Sequence, residues 1–431
     1  MKIEDFAKEA KTASVLLAAT GTDVRNRALA AVAKALTAGK DEILAANRKD
    51  LERSEKERIA DPLLKRLKFD DAKIADVIAG IETLIGLPDP VGETLAATEL
   101  DKGLELYKVS CPIGVVGIIF ESRPDALVQI STLCLKSGNS VLLKGGSEAL
   151  ETNRVLAETI RRATENAGIP GGWLHLLETR TEVVEMLKLE GYIDLIIPRG
   201  SNEFVRYIID NSNIPVLGHA EGICHCYIDR SADIAMAVPI VVDSKTQYVA
   251  VCNAVETLLV HKDAARAFLP VAKESLESKN VELLGCERTR SIIDVSPATE
   301  EDWKTEYLDY RLSVRVVDTL EEAITHINTY GSGHTDAIVA EDRAAAMKFM
   351  ALVDSADVFW NCSTRFSDGY RYGLGAEVGI STNKIHARGP VGLEGLVIYK
   401  YLLMGHGQIV ADYAGGKKKF GHRKINRHFP I

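Results

Sequence analysis

The sequence contains no uninterrupted apolar run that approaches the about 18 residues needed to span a bilayer. It also has no internal repeat and no low-complexity segment, and its charged amino terminus, MKIEDFAKEAK, lacks the apolar core of a secretory signal. Cysteine is scarce, with seven residues scattered over 431, which argues against a disulfide framework. We therefore expect a cytoplasmic protein whose thiols are reduced.

The sequence also has no excess of basic over acidic residues. The net charge of −9 argues against a nucleic-acid-binding protein, which would present clustered Lys and Arg to phosphates. The one basic cluster lies in the carboxyl-terminal tail, residues 416–431, where a solvated extension is the simpler interpretation. A chain of 431 residues can bury two substantial cores, so two or more domains are expected.

Hydrophobic spacing divides the chain into three kinds of segment. Residues 4–85 carry Ala and Leu three and four positions apart, which predicts helices. The stretches ETLAATEL and LELYKVS, joined by the DKG turn of residues 101–103, predict a β-hairpin that leans on another surface, such as a second subunit. From residue 113 onward short apolar strands alternate with helices, which predicts an α/β protein with parallel, doubly wound sheets.

Two glycine turns stand between a predicted strand and a predicted helix, at residues 144–147 (KGGS) and 199–201 (RGS). Such turns expose backbone N–H groups at a helix N-terminus, which suits phosphate binding. Neither turn matches the full G-x-G-x-x-G fingerprint, so each alone is better explained as a structural turn. Together, with a Lys and an Arg beside them in one sheet, they favour a phosphate-bearing cofactor.

Cys252 is the candidate nucleophile. It stands in KTQYVAVCNAVETLLV, where a polar loop turns into a strand, so a substrate can reach its thiol. A buried structural thiol is the alternative, because most cysteines are core residues.

Other cysteines and histidines are interpreted as structural. Cys224 and Cys226 would share one face of a strand while His225 points to the other, and no second pair has zinc spacing, so packing is favoured and no metal is expected. For His219 and His334 a hydrogen-bonded structural role near the pocket is the default.

Eight segments occur along the chain in a distinctive order: PIGVVGIIFESRPD, GNSVLLKGGSEA, DLIIPRGS, IPVLGHAEGICH, CNAVETLLV, SGHTDAIV, STRF and GLGAEVGISTNKIHARGP. In this order and spacing they resemble the γ-glutamyl phosphate reductase family, also called glutamate-5-semialdehyde dehydrogenase, of the aldehyde dehydrogenase superfamily. The resemblance extends to about Gln408.

The resemblance implies an aldehyde dehydrogenase-like fold of two doubly wound parallel-sheet domains plus a small β oligomerisation element. The expected division is 1–93 and 111–228 for an NADPH-binding domain, 229–390 for a catalytic domain, 94–110 and 391–415 for oligomerisation strands, and 416–431 for the basic tail.

The family also implies cofactor contacts. Lys144 falls where a strand-end Lys meets the adenosine ribose, and Glu306 falls where relatives position the nicotinamide ribose. Ser147 replaces a carboxylate of NAD-preferring relatives and leaves room for a 2′-phosphate, which favours NADPH. The full set expected to bind the cofactor is Lys144, Gly146, Ser147, Arg199, Gly200, Ser201 and Glu306.

Two positions depart from the wider superfamily. Val216 occupies the place of the Glu base that hydrolyses the thioester, so water attack should be slow. Ser122 occupies the place of the oxyanion-stabilising Asn, so the backbone N–H of Cys252 is the expected donor, helped by Ser122 or Asn253.

The expected substrate carries two anionic groups and an amine. Arg123, Arg199 and Arg365 are candidate anion clamps, since a guanidinium matches carboxylate and phosphate, and Glu121 is the candidate for the amine. A surface ion pair is the alternative for each of these four.

The resemblance therefore predicts NADPH-dependent reduction of L-glutamyl 5-phosphate to L-glutamate 5-semialdehyde through a Cys252 thioester, in proline biosynthesis. It implies a homo-oligomer and, upstream, a glutamate kinase as a candidate partner. The rival interpretations are a coenzyme-A-acylating aldehyde dehydrogenase, a histidinol dehydrogenase and a non-catalytic binding scaffold.

Overall fold

The structure is a computed structural model that describes residues 2–59, 61–121, 123–375 and 377–430. As predicted, helices fill the amino-terminal region: α1 Ile3–Ala18, α2 Thr22–Ala38, α3 Lys40–Lys56, α4 Asp61–Leu67 and α5 Asp71–Gly86. In α2 the buried residues Ala28, Leu29, Val32 and Leu36 recur at helical spacing, so one face packs into the core. Within the described ranges, no helix is at once long and apolar enough to cross a membrane.

The predicted hairpin follows. Strand β1, Thr94–Asp101, pairs antiparallel with β2, Leu104–Pro112. Gly103 takes a φ of +71° in the turn, a conformation that strains a residue with a side chain.

A parallel sheet comes next, with strand order β5-β4-β3-β6 among the described residues. Its strands are β3 Val115–Phe120, β4 Ser140–Lys144, β5 Leu174–Leu177 and β6 Leu195–Arg199. Its helices are α6 Pro124–Lys136, α7 Leu150–Asn166, α8 Arg180–Met186 and α9 Asn202–Asn211. Because the strands run parallel, Phe120, Lys144 and Arg199 end at the same edge, and both glycine turns lie there.

A second parallel sheet has the order β10-β9-β11-β8-β7-β12-β13 over the described chain. Its strands are β7 Cys224–Ile228, β8 Val255–His261, β9 Glu282–Gly285, β10 Ser296–Pro297, β11 Arg311–Val317, β12 Thr335–Val339 and β13 Asp357–Trp360. Its helices are α10 Ile234–Thr246, α11 Lys262–Glu277, α12 Glu287–Arg290, α13 Leu320–Tyr330 and α14 Arg343–Leu352. The two sheets bear out the expected aldehyde dehydrogenase-like α/β architecture.

The predicted boundaries need two corrections. Strand β7, expected in the first domain, pairs with β8 and β12 in the second sheet, because sheet membership depends on partners far along the chain. Conversely Val378, expected in the second domain, and Val391, expected at the start of the second oligomerisation segment, pack into the core beneath the first sheet. The functions expected of the two domains stay predictions.

The last elements are β14 Gly379–Ser381, β15 Gly389–Val391, β16 Val397–Met404, α15 Val410–Ala414 and β17 Arg423–Lys424. Strands β14 and β15 pair with each other in a small antiparallel sheet. Strands β16 and β17 extend the hairpin into an antiparallel sheet with the order β16-β2-β1-β17.

The basic tail is not simply a solvated extension. Arg423 and Lys424 pair with β1, and the ring of Phe429 meets Tyr107 edge-on at 5.5 Å. Ile425 also packs with this cluster, so apolar residues between the basic ones anchor the tail to the hairpin. The composition of the tail shows its many basic residues but does not predict these apolar contacts.

Candidate active site

Cys252 lies in the turn between α10 and β8, at the amino edge of the second sheet. Its side chain is half-buried, so the thiol is neither sealed in the core nor fully open. Two neighbours on β7 and the loop before it fix its backbone. The Cys224 thiol donates to the Cys252 carbonyl at 3.1 Å, and a Cβ at Gly222 would collide with that same carbonyl. Only glycine therefore fits beneath the candidate nucleophile.

A histidine contacts the thiol. His334 Nε2 lies 3.1 Å from Cys252 Sγ, and His334 Nδ1 lies 2.7 Å from Thr335 Oγ1. His219 meets His334 edge-on, with ring centroids 4.9 Å apart. The sequence placed both histidines near the pocket but did not select His334 as a partner. No local signal could have done so, because 82 residues separate it from Cys252.

The electrostatics of the thiol are set mainly by burial. Burial raises the pKa of Cys252 to about 12, the charges of Glu306 and Glu377 add to the rise, and Arg199 opposes it. Burial also holds the pKa of His334 well below its usual range. A neutral thiol therefore faces a neutral imidazole, and the imidazole can accept the thiol proton when an electrophile arrives.

The charge of Glu306 acts on Cys252, and the contact with the nicotinamide ribose that the family resemblance implies for Glu306 stays a prediction. Asn202 Nδ2 donates to Glu306 Oε2 at 2.6 Å. Burial raises the pKa of Glu306, while the bonds from Asn202 and from the Gly222 backbone lower it. The carboxylate is thus oriented by groups from both sheets.

A buried ion pair brackets the turn that carries Cys252. Lys245 Nζ lies 2.6 Å from Glu256 Oε2, and both side chains are completely buried. Burial lowers the pKa of Lys245 and raises that of Glu256 to about 7. Lys245 lies in the last turn of α10 and Glu256 is the second residue of β8, so the pair ties together the two ends of the turn.

Two candidate anion clamps lie near the thiol. Arg365 is 8% exposed, its Nε donates to Gln247 Oε1 at 2.9 Å, and the field of Cys252 acts on it. Arg199 donates through Nη1 to the Val378 carbonyl at 2.6 Å. Desolvation of the Arg123 guanidinium and the nearby Arg199 charge together lower the pKa of Arg123. Arg199 and Arg365 thus interact electrostatically with Cys252, and Arg123 with Arg199.

The groups that we expected to donate hydrogen bonds to the oxyanion have different surroundings in the structure. Asn253 is buried, and its Nδ2 donates to the Ser367 carbonyl at 2.6 Å, so this amide nitrogen is already engaged. The backbone N–H of Cys252 is directed toward its own sulfur. Ser122 lies outside the described residues.

Three of the seven candidate cofactor residues line a cleft of about 850 Å³ at the carboxyl edge of the first sheet, whereas Arg199, Gly200, Ser201 and Glu306 are not among its lining residues. The cleft contains Lys144, Gly146 and Ser147, and a Cβ at Gly146 would collide with the Glu148 carboxylate. Lys144 is 6% exposed and bonds through Nζ to the Gly145 carbonyl. A cleft of this volume with glycines in its wall can take a nucleotide, so these three residues fit the expected cofactor.

The second glycine turn borders the same cleft through Glu121. Glu121 Oε2 accepts from the Ser201 backbone N–H at 3.2 Å and packs against Gly200. Because the carboxylate already occupies this N–H, the expected role of Glu121 in amine binding has a competing structural explanation. Arg199 belongs to this turn too, and its charge acts on Cys252.

Arg53 was missed by the sequence reasoning. Its Nη2 donates to the carbonyls of Ser147 at 2.9 Å and Glu148 at 3.1 Å, and it pairs with Asp50 at 2.6 Å. A cation from the amino-terminal helices therefore lies behind the first glycine turn.

Two other residues singled out in the sequence, His225 and Val216, make contacts typical of a structural role. His225 Nδ1 lies 2.9 Å from Asp336 Oδ1, with both side chains fully buried. Val216, which is 8% exposed, packs in an apolar cluster with Ile119 and Ile214. A hydrocarbon side chain stands here in place of a carboxylate base.

Comparison with known proteins agrees with this geometry. The aldehyde dehydrogenase family matches residues 1–310. Gamma-glutamyl phosphate reductase of Acetivibrio thermocellus is 69% identical over 431 residues, which covers 100% of both chains, and that of Pelotomaculum thermopropionicum is 68% identical over 100% of this chain and 99% of its own. The crystal structure of gamma-glutamyl phosphate reductase from Thermotoga maritima superposes with a TM-score of 0.93 at 43% identity, over 95% of this chain and 100% of that one. The chain belongs to the aldehyde dehydrogenase family of oxidoreductases, and within it to the γ-glutamyl phosphate reductases.

Proposed function

We propose that this chain catalyses the NADPH-dependent reduction of L-glutamyl 5-phosphate to L-glutamate 5-semialdehyde and phosphate, a step of proline biosynthesis. The observation that carries the proposal is the 3.1 Å contact between Cys252 Sγ and His334 Nε2, beside Glu306 and the arginines. The names of the relatives indicate the substrate. The contact between the thiol and the imidazole provides the nucleophile and an acceptor for its proton.

The acylation step needs a nucleophile and a place for one proton. His334 Nε2 accepts the thiol proton as Cys252 Sγ attacks the acyl carbon, and Thr335 Oγ1 holds Nδ1. The bond from carbon to the phosphate oxygen breaks, and the imidazolium returns the proton to the departing phosphate. A thioester remains on Cys252. The acyl phosphate is already activated, so this step requires no metal.

The cofactor is proposed to lie in the cleft at the first sheet, over Gly146, with Glu306 at its nicotinamide end. When bound, its reduced ring supplies the hydride that converts the thioester into a thiohemiacetal. The thiohemiacetal oxyanion then expels the Cys252 thiolate, which takes a proton from solvent through His334. Ser147 leaves space for a 2′-phosphate, and Lys144 and Arg53 place positive charge near it, which supports NADPH over NADH.

The substrate anions are proposed to meet the arginines. Arg365 is nearly buried and close to the thiol, so its guanidinium can fix a carboxylate or the phosphate beside the reacting carbon. Arg199 and Arg123 extend this positive surface. The backbone N–H of Cys252 is the proposed oxyanion donor, because the nitrogen of the Asn253 amide is engaged elsewhere.

The thioester is proposed to exchange with phosphate rather than with water. Val216 offers no base to activate water, so hydrolysis should be slow and the acyl group is preserved. Homo-oligomerisation, contact with a glutamate kinase and a cytoplasmic location stay predictions from the sequence.

The test runs the reaction in reverse, with glutamate 5-semialdehyde, NADP⁺ and phosphate. We expect NADPH formation that depends on phosphate, a glutamyl adduct on Cys252 by mass spectrometry, and loss of both in Cys252→Ser. Cys286→Ser, which changes a half-buried thiol on another element, is the matched control. Dependence on coenzyme A instead of phosphate, or equal turnover without phosphate, would refute the proposal.

A further inference from the structure

Three potential metal ligands converge at the candidate nucleophile. The ligand atoms of His219, Cys252 and His334 all lie within 4.8 Å of one another. In a tetrahedral zinc site with bonds of about 2.0–2.3 Å, neighbouring ligand atoms are about 3.3–3.7 Å apart. The pair Cys252 Sγ and His334 Nε2, at 3.1 Å, is already near this separation. Small movements of side chains would bring the third ligand to the same spacing.

The two imidazoles are oriented as metal-binding histidines usually are. His219 Nδ1 lies 2.9 Å from the Ile380 carbonyl, which can only accept a hydrogen bond, so Nδ1 carries the proton and Nε2 carries the lone pair. His334 Nδ1 is held by Thr335 Oγ1, and its Nε2 faces the thiol. Each ring thus has Nδ1 engaged in a hydrogen bond, which leaves Nε2 as the nitrogen that can bind an ion within the 4.8 Å cluster.

The backbone that carries the ligands is rigid. Thr335 begins β12 and is fully buried, and the Cys252 carbonyl is held by the Cys224 thiol. The ligands come from three separate chain segments that pack around β7. A preformed set of this kind loses little conformational entropy when it binds an ion.

We propose that His219, Cys252 and His334 form a site for a soft divalent cation, zinc being the best match, and that the bound ion reversibly blocks the nucleophile. One thiolate and two imidazoles favour zinc over magnesium or calcium, which prefer oxygen. The Cys252 thiol proton is released to solvent on binding, and water completes the fourth position. The site is distinct from a resident metal cofactor, which the reaction does not need. The inhibition, though not the binding, rests on the proposed function of Cys252.

The binding test uses Co²⁺ as a spectroscopic substitute for zinc and requires no turnover. Titration of the full-length protein with Co²⁺ should produce a thiolate-to-cobalt charge-transfer band at one equivalent, which zinc displaces and a chelator removes. The band should vanish in Cys252→Ser and persist in Cys286→Ser. His219→Asn keeps an amide group near the Ile380 carbonyl but removes Nε2, and should weaken binding by at least about tenfold.

The second readout is inhibition by micromolar zinc in the reverse reaction, expressed for each variant relative to its own activity without zinc. His219→Asn should shift the inhibitory zinc concentration upward by the same factor as its cobalt affinity. Absence of the band, its persistence in Cys252→Ser, or unchanged affinity in His219→Asn would overturn the proposal. Circular dichroism of each variant identifies any that does not fold, and the wild-type titration decides the question in that case. If cobalt produces no band, the metal-site proposal fails, but the glutamyl adduct on Cys252 can still form. The proposed function is therefore tested independently of the metal site.

Discussion

Cys252 Sγ and His334 Nε2 are 3.1 Å apart although 82 residues separate them in the chain. Cys252 precedes β8 and His334 precedes β12, and both strands flank β7 in the same parallel sheet. The amino ends of parallel strands meet at one edge, so two loops that never touch in sequence place a thiol against an imidazole. The proposed role of His334 as proton acceptor depends on this relationship.

The pH dependence of thiol reactivity follows from this pair. Burial raises the pKa of Cys252 to about 12 and lowers that of His334, so the free enzyme carries a neutral pair. The thiolate fraction then falls as pH falls, and alkylation of Cys252 by iodoacetamide should rise about tenfold per pH unit between roughly pH 7 and 9. A plateau of fast alkylation reaching down to acidic pH would instead indicate a thiolate–imidazolium pair.

Substitution of His334 separates proton acceptance from packing. His334→Asn keeps a polar group near Thr335 Oγ1, whereas His334→Gln keeps one near Cys252 Sγ, and neither side chain can take a proton. We expect acylation to slow by about 10²–10⁴-fold in both, measured as the single-turnover rate of thioester formation. A normal rate in His334→Gln would mean that His334 only fills space.

Cofactor preference is expected to depend on Ser147. Ser147→Glu places a carboxylate in the cleft beside the proposed position of the 2′-phosphate, and should lower kcat/KM for NADPH relative to NADH by at least about tenfold, or 1.4 kcal/mol. Ser147→Ala is the control, since it removes the hydroxyl and adds no charge. An equal loss with both cofactors would argue against a 2′-phosphate at this position.

Arg365 is expected to bind a substrate anion. Arg365→Met should reduce kcat/KM for glutamate 5-semialdehyde and phosphate by about 10–100-fold, because a hydrogen bond to a charged group contributes about 1.5–3 kcal/mol. Arg365→Lys should recover only part of the loss, since an ammonium cannot form the two-pronged contact. Arg288→Met, which breaks an exposed pair with Asp318, should leave steady-state kinetics unchanged.

The buried pair of Lys245 and Glu256 is expected to stabilise the turn of Cys252. Removing one partner leaves an uncompensated buried charge, so Lys245→Met should cost about 3–5 kcal/mol, seen as a lower midpoint of urea unfolding. Adding Glu256→Leu should restore much of that stability. The exposed pair of Lys273 and Glu277 is the matched control, and Lys273→Met should cost under about 1 kcal/mol.

The sequence predicted local structure well where periodicity decides it. The helices before residue 87 and the buried strand Val115–Phe120 were predictable because 3.6-residue spacing and an unbroken apolar run have few alternative explanations. The family resemblance selected Cys252 and Glu306, and the charge of Glu306 acts on the Cys252 thiol, while the roles of both residues stay predictions. Contacts between residues far apart in the chain were not predicted. Nothing near SGHTDAIV shows that His334 faces Cys252, and nothing in CHCYI shows that β7 joins the second sheet.

The tail of residues 416–430 provides a direct test of which contacts hold it. Phe429 packs edge-on against Tyr107, and its backbone N–H donates to Thr94 Oγ1 at 2.8 Å. The ion pairs of Arg423 with Glu99 and Arg427 with Glu105, each at 2.6 Å, lie at the surface.

We expect the apolar contact to dominate. Phe429→Ala should cost about 1–2 kcal/mol, less than the 3–5 kcal/mol of a fully buried aromatic because the ring is only half-buried. Arg423→Ala should cost about 0–1 kcal/mol, since solvent and salt screen an exposed pair. Limited proteolysis of the tail measures both effects, and Phe429→Ala should be cleaved faster than Arg423→Ala. The reverse order, with added salt accelerating cleavage of the unaltered chain, would show that charge rather than hydrocarbon fixes the tail.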